Sequence, residues 1–80
     1  MQLRLLYFGI ARDATGLRQD KITLNGSVTV GGLRNILREQ NPGLGAMPDY
    51  AVAVNCEYAT DDRQLREDDE VAVIPPVSGG

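Results

Sequence analysis

Few side chains in this sequence can do chemistry, and the group best placed for it belongs to the backbone. The sequence runs Ile74-Pro75-Pro76-Val77-Ser78-Gly79-Gly80. Read as the end of the chain, it presents a carboxylate on two glycines. Glycine has no Cβ, so a Gly-Gly tip can pass through a channel where any other residue would clash. Pro75 and Pro76 fix φ and favour an extended path. At roughly 3.1–3.4 Å per residue, Pro75 to Gly80 reaches about 20 Å, enough to deliver a carboxylate into a partner's buried pocket.

The remaining candidates are weaker. The chain has no histidine and no tryptophan, and its single cysteine, Cys56, has no base nearby in sequence to activate it. Cys/His and Ser/His/Asp catalysis are therefore excluded, as is a Cys/His zinc site, and no metal site is expected. Asp61, Asp62, Glu67, Asp68, Asp69 and Glu70 lack the spacing of a calcium loop and read as a solvated turn. No phosphate-cradling glycine pattern occurs. A net charge of −3 argues against nucleic-acid binding. No apolar run approaches a bilayer span and no signal-peptide pattern opens the sequence, so no membrane is expected and the cytoplasm is the expected compartment. The chain alone is expected to catalyse nothing, and its function moves to the tail and its receiver.

The tail needs a base, and 80 residues supply one small domain, read as residues 1–74 with 75–80 as the tail. Leu3–Phe8 is a strand with apolar residues on both faces, which predicts an interior place in a sheet. Asp13–Gly16 reads as a turn, and Asp20–Leu24 alternates as a strand with one wet face. Asn25-Gly26 is a turn signal. Val30, Leu33, Ile36 and Leu37 recur at helical spacing behind Thr29 as N-cap. Gly31 and Gly32 weaken that first turn and suit close packing or a frayed start. Asn41-Pro42-Gly43 ends the helix. Tyr50–Val54 is a second apolar strand, Asn55–Tyr58 a turn into a short strand, and Leu65 an anchor into the core. Glu70–Ile74 is the last strand, read as buried on both faces, and it runs straight into the tail. The fold class is α+β: a mixed sheet of four to five strands with one main helix on one face.

Several pieces in order carry a resemblance over the whole chain: Leu6-Tyr7-Phe8-Gly9 with Arg12-Asp13 and Gly16, Val54-Asn55 with Glu57-Tyr58-Ala59, Asp69-Glu70-Val71-Ala72, and above all Pro75-Pro76-Val77-Ser78-Gly79-Gly80. Together they resemble the small, sulfur-carrier subunits of molybdopterin synthase, which have the β-grasp (ubiquitin-like) fold. The resemblance implies that an ATP-dependent enzyme adenylates the Gly80 carboxylate and that a sulfur donor converts this glycyl adenylate to a thiocarboxylate (1-thioglycine). The tail then enters the large synthase subunit and gives its sulfur to cyclic pyranopterin monophosphate. It also implies a heterotetramer of two small and two large subunits, and no tightly bound cofactor in the small one. Pro75, Pro76, Val77, Ser78 and Gly79 fall on the inserting tail. Phe8, Tyr58 and Ile74 fall on the surface that both partners recognise, with Arg12 as a charged rim contact with the activating enzyme. Asp68 stands where the family commonly has Gly, in a turn that calls for positive φ, which Asp tolerates. Two other functions fit the same tail: a sulfur carrier for thiamine thiazole, or a protein modifier that joins Gly80 to lysines.

Overall fold

The computed structural model describes residues 1–45 and 50–75. Its strands are β1 (Gln2–Tyr7), β2 (Gln19–Thr23), β3 (Ala51–Val54), β4 (Glu57–Ala59) and β5 (Glu70–Ile74), and its helices α1 (Ile10–Thr15), α2 (Val30–Gln40) and α3 (Pro42–Gly45). The strands form one five-stranded sheet in the order β2-β1-β5-β3-β4. Only β1 and β5 run parallel; the other pairs are antiparallel. The α+β mixed sheet expected from the sequence is present, with β5 at its centre.

Register explains the core. Leu3 and Leu5 on β1 share a sheet face with Ile22 on β2, Val71 and Val73 on β5, and Val52 and Val54 on β3. This face packs against Val30, Leu33 and Leu37, the stripe of α2 that recurs at helical spacing. Leu65 joins the same core, as the sequence predicts. Fully burying each large aliphatic side chain contributes roughly 1.5–3 kcal/mol.

The opposite face is largely open, with Ala53 its one buried residue among the described strands. β1 alternates, with Leu3, Leu5 and Tyr7 buried but Gln2 and Arg4 exposed and Leu6 between. β5 likewise buries Val71 and Val73 and leaves Glu70, Ala72 and Ile74 half-covered. The reading of these strands as buried on both faces is thus corrected. They are interior strands, but among the described residues no helix covers their outward apolar residues, which stay half-exposed.

A second correction falls at Asp13–Gly16. The segment is the end of a short helix, not a turn. α1 starts after Gly9 at φ 55, buries Ala11, and closes where Gly16 adopts φ 75 and donates its N–H to the Arg12 carbonyl at 2.8 Å. Thr15 supports this end by donating its hydroxyl to the Ala11 carbonyl at 3.0 Å. For α2 the expected cap is present: the Thr29 hydroxyl accepts from the Gly32 N–H at 3.1 Å. The preference for glycine at Gly31 comes from a loop and not from the sheet. A Cβ there would stand 3.2 Å from the Asp61 Cβ, while the Gly31 N–H donates to the Asp61 carbonyl at 2.9 Å. Arg34 secures that loop through an ion pair to Asp61 at 2.8 Å and lies over the Tyr50 ring, 4.6 Å from its centre.

Tyr7 is buried in the core, and that burial, with Asp20 and Tyr50 nearby, pushes its hydroxyl up from 10.0 to about 12. The unfolded chain ionises this group first, so the stabilisation is complete below pH about 10 and is lost as pH rises to about 12. A two-unit shift corresponds to roughly 2–3 kcal/mol. Denaturant titrations across this alkaline window should show the decline, and Tyr7→Phe should flatten it.

Candidate functional site

The open sheet face is built by register. One transverse row reads Gln19, Leu6, Ala72, Ala53, Tyr58 from β2 across to β4. The next row towards the tail pairs Ala51 with Ile74. Phe8 follows β1 and donates its N–H to the Val73 carbonyl at 3.2 Å, which sets it beside Ile74. Phe8 and Tyr58 are 49% and 76% exposed, large apolar surfaces that no core needs. Between them Ala51, Ala53 and Ala72 leave a low floor that lets another protein come close to the strands. The structure therefore brings Phe8, Ile74 and Tyr58 onto one face, with Phe8 and Ile74 adjacent and Tyr58 roughly 12 Å from Ile74, two strands across and two residues along.

The far end of the same face is polar. Lys21 pairs with Arg4, and Arg4 forms a 3.8 Å ion pair with Glu70. The apolar end lies where the tail departs. Pro75 packs against the start of α1, since a Cβ on Gly9 would lie 3.7 Å from the Pro75 ring. Gly9 also has φ 55, a region that L side chains rarely adopt, so it serves both the α1 start and this approach. Arg12, one turn into α1, lines a notch with Phe8. Pro76, Val77, Ser78, Gly79 and Gly80 lie outside the described residues.

The base of β5 is held by a polar cluster that the sequence reading treated as a plain solvated turn. Asp69, only 9% exposed, accepts from the Asn55 side-chain amide at 2.8 Å and from the Arg66 N–H at 2.8 Å. The Asn55 carbonyl oxygen of its side chain accepts in turn from the Glu70 N–H at 3.0 Å. Asp68 has φ 66, as the turn reading predicts, and its N–H donates to the Gln2 carbonyl at 2.8 Å.

Asn55 and Cys56 have φ 51 and 71 and link β3 to β4 by a two-residue turn of the primed kind. That turn favours Asn-Gly, so the Cys56 side chain is a cost and not a tool. Cys56→Gly should raise stability by about 1 kcal/mol, and Asp68→Gly by less, because Asp is better tolerated at positive φ. Chemical denaturation of the two variants checks the order.

Among the described residues no group of three or more His, Cys, Asp or Glu is placed to hold a metal, and no helix is long and apolar enough to cross a membrane. Residues 5–80 match the ThiS family. The chain belongs to the ThiS family. Within it, the chain is 34% identical to the molybdopterin synthase sulfur carrier subunit of Chlamydomonas reinhardtii, covering 100% of both. In three dimensions this ThiS-family chain is similar to small archaeal modifier protein 1 of Haloferax volcanii, with a TM-score of 0.82, 25% identity, and coverage of 95% of this chain and 98% of that one. It is also similar to a chain in the protein–protein complex of subunits 1 and 2 of molybdopterin-converting factor from Helicobacter pylori. That match has a TM-score of 0.70 and 26% identity and covers 100% of both chains. The β-grasp, ubiquitin-like fold expected from the resemblance is thereby shown.

Sequence reasoning had no signal for the alanine floor or for Leu6. Their period-two spacing is visible, but alanine in a strand reads as filler until register places three of them side by side. The resemblance to molybdopterin synthase small subunits supplied Phe8, Tyr58 and Ile74, and the register places the three on one sheet face.

Proposed function

We propose that this chain is the sulfur-carrying small subunit of a molybdopterin synthase, working in the cytoplasm. The observation that supports it best is the exposed apolar face ending at the root of a Pro-Pro-Val-Ser-Gly-Gly tail, in a chain similar along its whole length to molybdopterin synthase sulfur carrier subunits. An ATP-dependent enzyme forms the mixed anhydride between the Gly80 carboxylate and AMP. This step supplies a leaving group that a bare carboxylate lacks. A persulfide-class sulfur donor attacks the acyl carbon and AMP departs; a thiol then attacks the outer sulfur of the acyl disulfide, is oxidised to a disulfide with the donor, and releases the thiocarboxylate. The loaded tail then enters the large subunit, where the sulfur displaces an oxygen substituent from a carbon of the pyranopterin precursor and water cleaves the acyl–sulfur bond, which restores the carboxylate and leaves the sulfur on the precursor.

The chain's own residues do the positioning. β5 fixes where the tail starts, and Phe8, Ile74 and Tyr58 bury apolar surface against the receiving protein. Arg12 adds a charged contact at the rim. Proline at positions 75 and 76 restricts φ and so favours an extended stalk, and Val77 and Ser78 bring no charge that would have to be desolvated. The two glycines admit the tip. The assembled enzyme is a heterotetramer, with one small subunit at each end of a large-subunit dimer.

Intact-mass measurement after co-expression with an activating enzyme tests the reading. The expected species has one oxygen at Gly80 replaced by sulfur. Isopeptide adducts on other proteins, with the sulfur species absent, would instead establish the modifier function that the likeness to small archaeal modifier protein 1 keeps in view.

A further inference from the structure

Beyond the apolar face, the structure has a second surface feature at the tail root. A notch of about 330 Å³ opens at the C-terminal end of β1, between α1 and the start of β2. Leu6 and Phe8 contribute apolar lining, and Arg12 and Arg18 both line it. Arg18 is held there by its backbone, whose carbonyl accepts from the Tyr7 N–H at 2.8 Å. No carboxylate lines the notch among the described residues, and neither Arg12 nor Arg18 has an ion pair among them. In a chain of net charge −3, this is a local concentration of unpaired positive charge.

Its position gives the charge a consequence. Phe8 belongs both to this notch and to the tail root beside Ile74 and Pro75. A protein that draws the tail inside itself comes down on the root and covers the notch. Covering two guanidinium groups strips their water, which is unfavourable unless an opposite charge replaces it. The guanidinium fork matches a carboxylate in geometry as well as in sign.

We propose that the notch receives an Asp or Glu side chain of the large synthase subunit, held between Arg12 and Arg18, which makes Arg18 a docking residue. The large subunit is the occupant because a chain of similar fold belongs to the protein–protein complex of subunits 1 and 2 of molybdopterin-converting factor from Helicobacter pylori. The inference rests on the function proposed above.

The test is calorimetric titration of the purified large subunit with the full chain, wild type against Arg18→Glu, Arg18→Gln and Arg12→Glu, at low and high salt. Arg18→Glu should weaken binding at least about tenfold at low salt, with Arg18→Gln intermediate. The gap should narrow at high salt, where exposed charges are screened. Unfolding midpoints should match the wild type, since Arg18 is exposed. Unchanged affinity, or a loss insensitive to salt, overturns the proposal. Intact affinity with slowed sulfur loading also overturns it, by assigning the notch to the activating enzyme. A wild-type chain that fails to bind the large subunit sinks the proposed function itself, a result distinct from binding that ignores Arg18.

Discussion

Deletion of Gly80 should abolish sulfur loading while leaving the folded domain unchanged. The two halves of this outcome have separate causes. The core residues of β5 are Val71 and Val73, and Gly80 follows the end of that strand by six positions in the sequence. Loading needs a carboxylate at a fixed distance from the apolar face. Shortening the stalk by one residue withdraws the reacting atom by about 3 Å, and bound reactants have little tolerance for such a displacement. Mass spectrometry should find no sulfur-bearing species in the deletion variant, and molybdoenzyme activity should vanish in cells that carry it. Growth should not come to require thiamine. A thiamine requirement with molybdoenzymes intact would place the carrier in the thiazole pathway instead.

Asp69→Ala should produce the largest loss of stability among single polar substitutions. Its carboxylate binds the Asn55 amide and the Arg66 N–H, so truncation leaves two donors without their acceptor. Each bond to a charged acceptor contributes roughly 1.5–3 kcal/mol, and partial rescue by water brings the expected loss to about 2–4 kcal/mol. Asp69→Asn retains the shape and should cost about half as much. Urea unfolding measures both. Because the Asn55 side chain also accepts from Glu70 N–H, the damage should reach the first residue of β5. Amide exchange should therefore accelerate at Glu70 and in the β3–β4 turn before it does in α2.

The sequence disclosed the parts of this molecule that obey a period. The α2 stripe, its Thr29 cap and the five strands are all legible because burial follows spacing. Asp13–Gly16 misled because its turn-forming residues sit at the end of a short helix, and that helix depends on Gly9 and on burial of Ala11, both tertiary facts. The open face was illegible for a related reason. Leu6, Ala72 and Ile74 have the composition of buried residues, and only the lack of a second helical layer leaves them uncovered. Asp69 was hidden among its acidic neighbours, since nothing in a run of Asp and Glu says which one turns inward. Arg12 came from the resemblance alone, and Arg18 only from the cavity that the two share.

The place of β5 at the centre of the sheet has a mechanical consequence. A protein that grips the tail pulls along the axis of this strand. The strand is bonded to β1 on one side and β3 on the other, so a pull along it loads both ladders in shear, all bonds together, instead of peeling them one by one. An edge strand such as β2 or β4 would have given way by unzipping. Under the proposed function, a receiver that lets go of the tail would load both ladders in this way and leave the domain folded. The domain is thus a tether anchored through a strand that is hydrogen-bonded along both of its edges.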